Sequence, residues 1–169
     1  MPINRRPLRL AATLLGSSAA LVIGAVPAGA CGGLVGENGT IQLTNTVTVA
    51  ILTHDGGTLD GAGSVTVRSN MTWTGGVMSG AGTTTIANGA TLTVSGAADK
   101  DLRRRLDNYG TVTWTAGRIL GHTSATLYNY AGALFDTQSE ATLFESGDGT
   151  VKTFHNLGTV RKSAGTGTS

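Results

Sequence analysis

The chain of 169 residues has one cysteine, three prolines and 5% aromatic residues, and 13% of its residues are charged. A single thiol rules out any internal disulfide. Beyond residue 30, no window of ten or more residues sustains a 3.6-residue apolar period, so helix is expected to be nearly absent. The one long apolar run, Leu10 to Val26, is diluted by Gly16, Ser17 and Ser18. It falls short of the ~20 strongly apolar residues that a bilayer span needs. Arg5, Arg6 and Arg9 lead into it, Pro27 breaks it, and Ala28-Gly29-Ala30 follows. Basic end, apolar segment and small residues are the plan of an export signal, so residues 1–30 are read as a signal peptide and 31–38 as a linker. Without those residues nine basic side chains face ten acidic ones, a net charge near −1. That balance leaves no basic face for nucleic acid.

Cleavage after Ala30 makes Cys31 the first residue of the exported chain. A cysteine there resembles the lipobox of bacterial lipoproteins, in which the thiol is acylated, although Ala28 stands where that motif has a large aliphatic residue. Cys31 is therefore a candidate lipidation site, the alternative being an exposed free thiol. Either outcome implies an extracellular or cell-surface location.

What the sequence has in quantity is glycine, 26 residues of it, set in a recurring phrase. Leu59-Asp60-Gly61-Ala62-Gly63-Ser64-Val65-Thr66-Val67 lies over Met78-Ser79-Gly80-Ala81-Gly82-Thr83-Thr84-Thr85-Ile86 at an offset of 19. Thr46-Val47-Thr48-Val49 lies over Ser64-Val65-Thr66-Val67 at 18, and Met71-Thr72-Trp73-Thr74 over Val112-Thr113-Trp114-Thr115 at 41, two units plus an insertion. Within each unit, apolar residues alternate with threonine for three to five positions, with Val65, Val67 and Ile86 inward and Thr66 outward. Alternation of period two in β-branched residues is the strand signal. Short strands repeating every 18 to 22 residues describe a chain that coils and stacks each turn on the last. Equivalent side chains then form ladders, and Asn88, Asn108, Asn129 and Asn156, each two residues after an apolar one, are read as a structural ladder at a bend. The charged stretch 97–105 is read as an inserted charged loop, solvated, or as one helical turn.

Leu106-Asp107-Asn108-Tyr109-Gly110-Thr111-Val112, its echo Phe154-His155-Asn156-Leu157-Gly158-Thr159-Val160, and the Gly/Thr-rich tail resemble repeats of large secreted bacterial proteins. Those proteins carry the right-handed parallel β-helix of the pectin-lyase-like and autotransporter-passenger group. The resemblance implies an all-β fold, a right-handed parallel β-helix of about six or seven coils over residues 39–169. The tail Arg161 to Ser169 forms no amphipathic capping helix, which would leave the edges of the final coil open, so the chain is expected to be part of a longer repeat protein or to have its C-terminal coil covered by self-association.

Some β-helix proteins are lyases or hydrolases, so acids and metal ligands matter. Asp55 and Asp60, Asp99 and Asp101, and Asp136 and Glu140 have no carboxylate partners at repeat-equivalent positions, which paired-carboxylate hydrolysis requires. Asp148 stands alone in Ser146-Gly147-Asp148-Gly149, and His54, His122 and His155 have no metal-ligand spacing. No catalytic, cofactor or metal site is therefore assigned. Thr-x-Thr tripeptides raise an ice- or crystal-binding face, but a period near 19 distributes them over different faces. Trp73 and Trp114, flanked by threonines, are candidate ligand platforms. These observations together point to an exported, non-enzymatic solenoid acting as a structural or adhesive surface module. Its expected partner is a cell-surface polysaccharide or other extracellular polymer. The alternative is a β-helix carbohydrate-active enzyme or carbohydrate-binding module.

Overall fold

The computed structural model describes residues 12–14, 20–23, 33–36, 39–122, 125–144, 148 and 150–167, with no helix among them. The cleavage point after Ala30, with Cys31, lies outside the described residues. β1 (Ala12–Leu14) and β2 (Ala20–Ile23) fall within the N-terminal apolar stretch, and β3 (Gly33–Gly36) follows. Next come β4 (Thr40–Leu43), the long β5 (Val47–His54), β6 (Thr58–Asp60), the long β7 (Val65–Trp73) and β8 (Gly76–Met78). The chain continues through β9 (Thr83–Ile86), β10 (Thr91–Val94), β11 (Lys100–Leu102), β12 (Arg105–Asn108), β13 (Thr111–Trp114) and β14 (Ile119–Gly121). β15 (Thr126–Asn129), β16 (Leu134–Thr137), β17 (Thr153–Asn156) and β18 (Thr159–Lys162) complete the described strands.

Strand pairing is parallel throughout and joins each strand to its counterpart one coil away: Thr91 of β10 lies beside Asn70 on one side and Thr111 on the other. Three faces result. Residues 47–49 and 65–67 begin the first face, which continues through β9, β12, β15 and β17. The second holds the rest of β5 and β7, then β10, β13, β16 and β18. A six-stranded sheet of β2, β4, β6, β8, β11 and β14 is the third. The fold is a parallel β-solenoid of about six turns.

Burial alternates along the strands as the threonine pattern predicts. Val47, Val65 and Leu106 fill one inner column, Leu52, Met71, Leu92 and Val112 another, and Ile41, Leu59, Met78 and Leu102 a third. Outside, Thr53, Thr72, Thr93 and Thr113 stand in one unbroken column of the second face. The Thr-x-Thr tripeptides divide between the first and second faces, with Thr83/Thr85 on one and Thr91/Thr93 on the other.

The repeated Gly-Ala-Gly phrase is a corner. A Cβ at Gly61 would lie 2.1 Å from the Leu43 carbonyl oxygen, and one at Gly80 would lie 2.3 Å from that of Gly61. Both have positive φ, 109° and 86°. Each coil rests its corner backbone directly on the corner below, and a side chain would force the stack apart.

The stretch 97–105 is not an inserted loop. The extra residues occupy the bend 95–99, after which β11 pairs in register with β8 and β14 and β12 begins at Arg105. Two of its cations are buried rather than solvated. The corner that takes four residues at 61–64 and 79–82 takes two at 103–104, and the Arg104 side chain fills the vacated space. Its Nε donates to Gly82 O at 3.0 Å, Nη1 to Ser79 O at 3.1 Å and Nη2 to Gly63 O at 2.9 Å, stitching two preceding coils to its own. Lys100 points inward one corner earlier and donates from Nζ to Gly96 O (2.5 Å), Ala98 O (2.8 Å) and Ala116 O (3.2 Å). Carbonyl dipoles hold both charges where no carboxylate does. Burial nonetheless lowers the pKa of each, Arg104 to about 10.

Candidate functional site

The two tryptophans are core residues, 0% and 1% exposed, so neither is a ligand platform. Both occupy the inner column that passes through His54, Trp73, Val94 and Trp114. His54 stacks on Trp73 with ring centroids 6.4 Å apart, and its Nε2 lies 3.2 Å from Val77 O while Nδ1 has no partner. Burial lowers the His54 pKa to about 4, so the ring is neutral. Trp114 donates from Nε1 to Gly117 O at 2.7 Å. A two-residue corner at 109–110 keeps the parity of β12 into β13, so Val112 and Trp114 point inward together.

Three of the four asparagines form a ladder. Asn108 Nδ2 donates to Asn129 Oδ1 and Asn129 Nδ2 to Asn156 Oδ1, both at 2.8 Å. The same amides reach the next coil's second face at Leu134 O and Thr159 O, 3.0 Å each, and Asn108 Oδ1 accepts from Gly110 N. Asn88 is not part of it. The register sets Ile86 beside Asn108, which leaves Asn88 exposed in the wider turn 87–90.

Outside this ladder the chain gathers all three of its tyrosines, a grouping the sequence reading missed. Its signal was the dipeptide Asn-Tyr at 108–109 and 129–130: a ladder residue followed by one that leaves the core. Tyr109 and Tyr130 stack at 4.1 Å with their planes 11° apart, and Tyr128 stacks on His155 at 4.2 Å. The Arg105 guanidinium covers the Tyr128 ring at 4.2 Å. Its Nε donates to Asp107 Oδ1 at 2.7 Å and its Nη2 to the Tyr130 hydroxyl at 2.6 Å. The Tyr130 hydroxyl bonded to Tyr109 pushes the Tyr109 phenol up to about 12. Locked in this way, the aromatic surface loses little rotamer freedom when something binds it.

A second polar group lies on the third face. Asp101 receives Arg103 Nε at 3.1 Å and Nη2 at 2.5 Å, and lies 3.4 Å from His122 Nε2. His122 Nδ1 lies 3.3 Å from Asp148, to which Lys152 is also paired. The imidazole separates the two carboxylates, and among the described residues no three His, Cys, Asp or Glu side chains converge on a metal position. On the second face, Asp136 accepts from Arg161, Ser163 and Gln138, and Arg161 in particular holds its carboxyl well below the usual range.

No known family model matches the chain, and neither a curated protein nor a solved structure resembles it significantly. The class it belongs to is therefore the one its own geometry defines, a three-faced parallel β-solenoid.

Proposed function

We propose that the chain is an exported, non-enzymatic solenoid that serves as an extracellular structural or adhesive surface module. The carrying observation is the disposition of the outer side chains. They run as ladders across successive coils, and most charges are tied to neighbours: Arg105 to Asp107, Arg118 to Asp99, Arg161 to Asp136. Contacts spread along a rigid face suit a polymeric partner such as a cell-surface polysaccharide. The last described coil adds a route to self-association, since Leu157 and Val160 are 67% and 47% exposed there.

A glycan array on the purified chain, run beside a lyase and hydrolase panel, tests the reading. Retention without depolymerisation is the expected result. The grouping of Asp101, His122 and Asp148 favours one second reading, a carbohydrate-active enzyme. Turnover of any polysaccharide that Asp101→Asn abolishes would establish that reading and displace the first. Export is tested by intact mass: a secreted or membrane-bound species beginning at Cys31 is expected, an added diacylglyceryl group marks the lipoprotein form, and full-length protein in the cytoplasm refutes export.

A further inference from the structure

The corner between the first and second faces carries, coil by coil in register, Arg68, Ala87, Tyr109, Tyr130 and Leu157. Tyr130 covers one face of the Tyr109 ring. On the other side the next rung is Ala87, a single methyl, and no ring stacks there; Tyr109 is 41% exposed. One rung further, Arg68 is exposed. Among the described residues it is the one Lys or Arg without a protein partner: Lys100 and Arg104 bond carbonyls, and each of the others bonds a carboxylate. Coils repeat at the ~4.8 Å spacing of any sheet, so Arg68 and Tyr109 stand about 9–10 Å apart with one rung left open between them. A ring entering at the level of Ala87 would continue the tyrosine stack and meet the free guanidinium on its far side.

We propose that this open rung is a binding slot for one anionic sugar ring of a glycan chain. The chair's C–H face lies on Tyr109, and its carboxylate or sulfate takes Arg68. Around the slot stand the outward residues Thr66 and Thr85 on the adjoining column and the exposed Asn88 of the wide turn, which match ring hydroxyls. Single-stranded nucleic acid fits less well, because it requires cations that follow successive phosphates and this corner offers one free guanidinium. The inference rests on the reading of the chain as a binding module, and it names the ligand class and the place.

The full chain is titrated calorimetrically with uronate, sulfated and neutral oligosaccharides of equal length, and with an oligothymidylate. The wild type is expected to bind an acidic oligosaccharide at least about tenfold more tightly than the neutral one, and the tighter of the two acidic ligands identifies the anionic group. Arg68→Gln should erase that preference. Ala87 is partly buried against the core, so Ala87→Tyr is compared with the wild type by circular dichroism; folded, it places a ring in the open rung and should abolish binding, and Tyr109→Ala should weaken every sugar. Equal binding of acidic and neutral ligands overturns the proposal, as does acidic binding that survives Ala87→Tyr, or tighter binding of the oligothymidylate. If the wild type adheres to intact cells yet binds none of the oligosaccharides, the slot falls while the adhesive reading stands.

Discussion

The coils from residue 39 to 98 and those from 99 onward solve the same stacking problem differently. The earlier ones hold three charged residues, Asp55, Asp60 and Arg68, whereas fifteen lie between 99 and 169. On the first face the offset between rungs is 18 from Val47 to Val65 and 19 from Val65 to Thr84, then 22 from Thr84 to Leu106. It is 21 from Leu106 to Leu127 and 27 from Leu127 to Phe154. The inner column that begins Val49, Val67, Ile86 continues as Asn108, Asn129, Asn156. Coils of nearly constant length, with offsets of 18 (Val47 to Val65) to 21 (Met71 to Leu92), close by shape, with aliphatic columns inside and bare glycine corners. Where corner lengths vary, Arg104 and Lys100 donate to corner carbonyls of neighbouring turns, and the asparagine amides add bonds to Leu134 O and Thr159 O of the next coil.

The contrast breaks most severely in the apolar half. Val67→Asp places an unpaired carboxylate in a fully buried column, and a loss of about 4 kcal/mol or more is expected in a urea titration. In the polar half, Arg104→Met keeps volume but leaves three corner carbonyls without donors. About 3 kcal/mol should be lost, with Arg104→Lys recovering part of it.

Acid should separate the two halves. The folded His54 pKa of about 4 lies below the ordinary 6.5, so below pH 6.5 the unfolded chain takes up a proton that the folded chain refuses. The stabilisation is complete above pH 6.5 and is lost as pH falls towards 4, about 3 kcal/mol in all, and His54→Phe should flatten that stretch of the profile. Asp136, held low by Arg161, loses its contribution below the ordinary carboxylate value of 3.8. Because solenoid coils couple mainly to their neighbours, hydrogen exchange should show protection around β5 and β7 failing at a higher pH than around β16 and β18. Simultaneous loss would mean that the halves do not differ in this respect. Among smaller effects, Asn129→Leu should cost about 2 kcal/mol by breaking both ladder bonds and the bond to Thr159 O. Thr66→Ser, on the outer surface, should cost less than about 0.5 kcal/mol.

Much of this was legible along the chain. The period, the parallel stacking and the inward Val65, Val67 and Ile86 follow from alternation and repetition, and both are visible in the sequence itself. The tyrosine corner was written in the Asn-Tyr dipeptides but went unread, because its meaning depends on which residues become neighbours after coiling. Asn88 was misplaced for a related reason. The spacing of apolar residue and asparagine aligns Ile86-Ala87-Asn88 with Leu106-Asp107-Asn108, whereas the coils stack two residues out of that alignment.

The sequence by itself determined that the chain is an all-β solenoid and which residue of each adjacent pair faces inward, because a strand's alternation is a local property of two neighbouring residues. Tertiary structure alone decided what happens at the corners. It sent Trp73 and Trp114 inside, turned Arg104 and Lys100 from a solvated charge run into buried staples, and left an open rung at Ala87. At a corner, the direction of a side chain depends on how many residues the turn uses and on which backbone atoms the coil beneath presents. Those atoms lie some twenty residues away in sequence, as Gly63 O and Gly82 O lie 41 and 22 residues from the guanidinium that binds them.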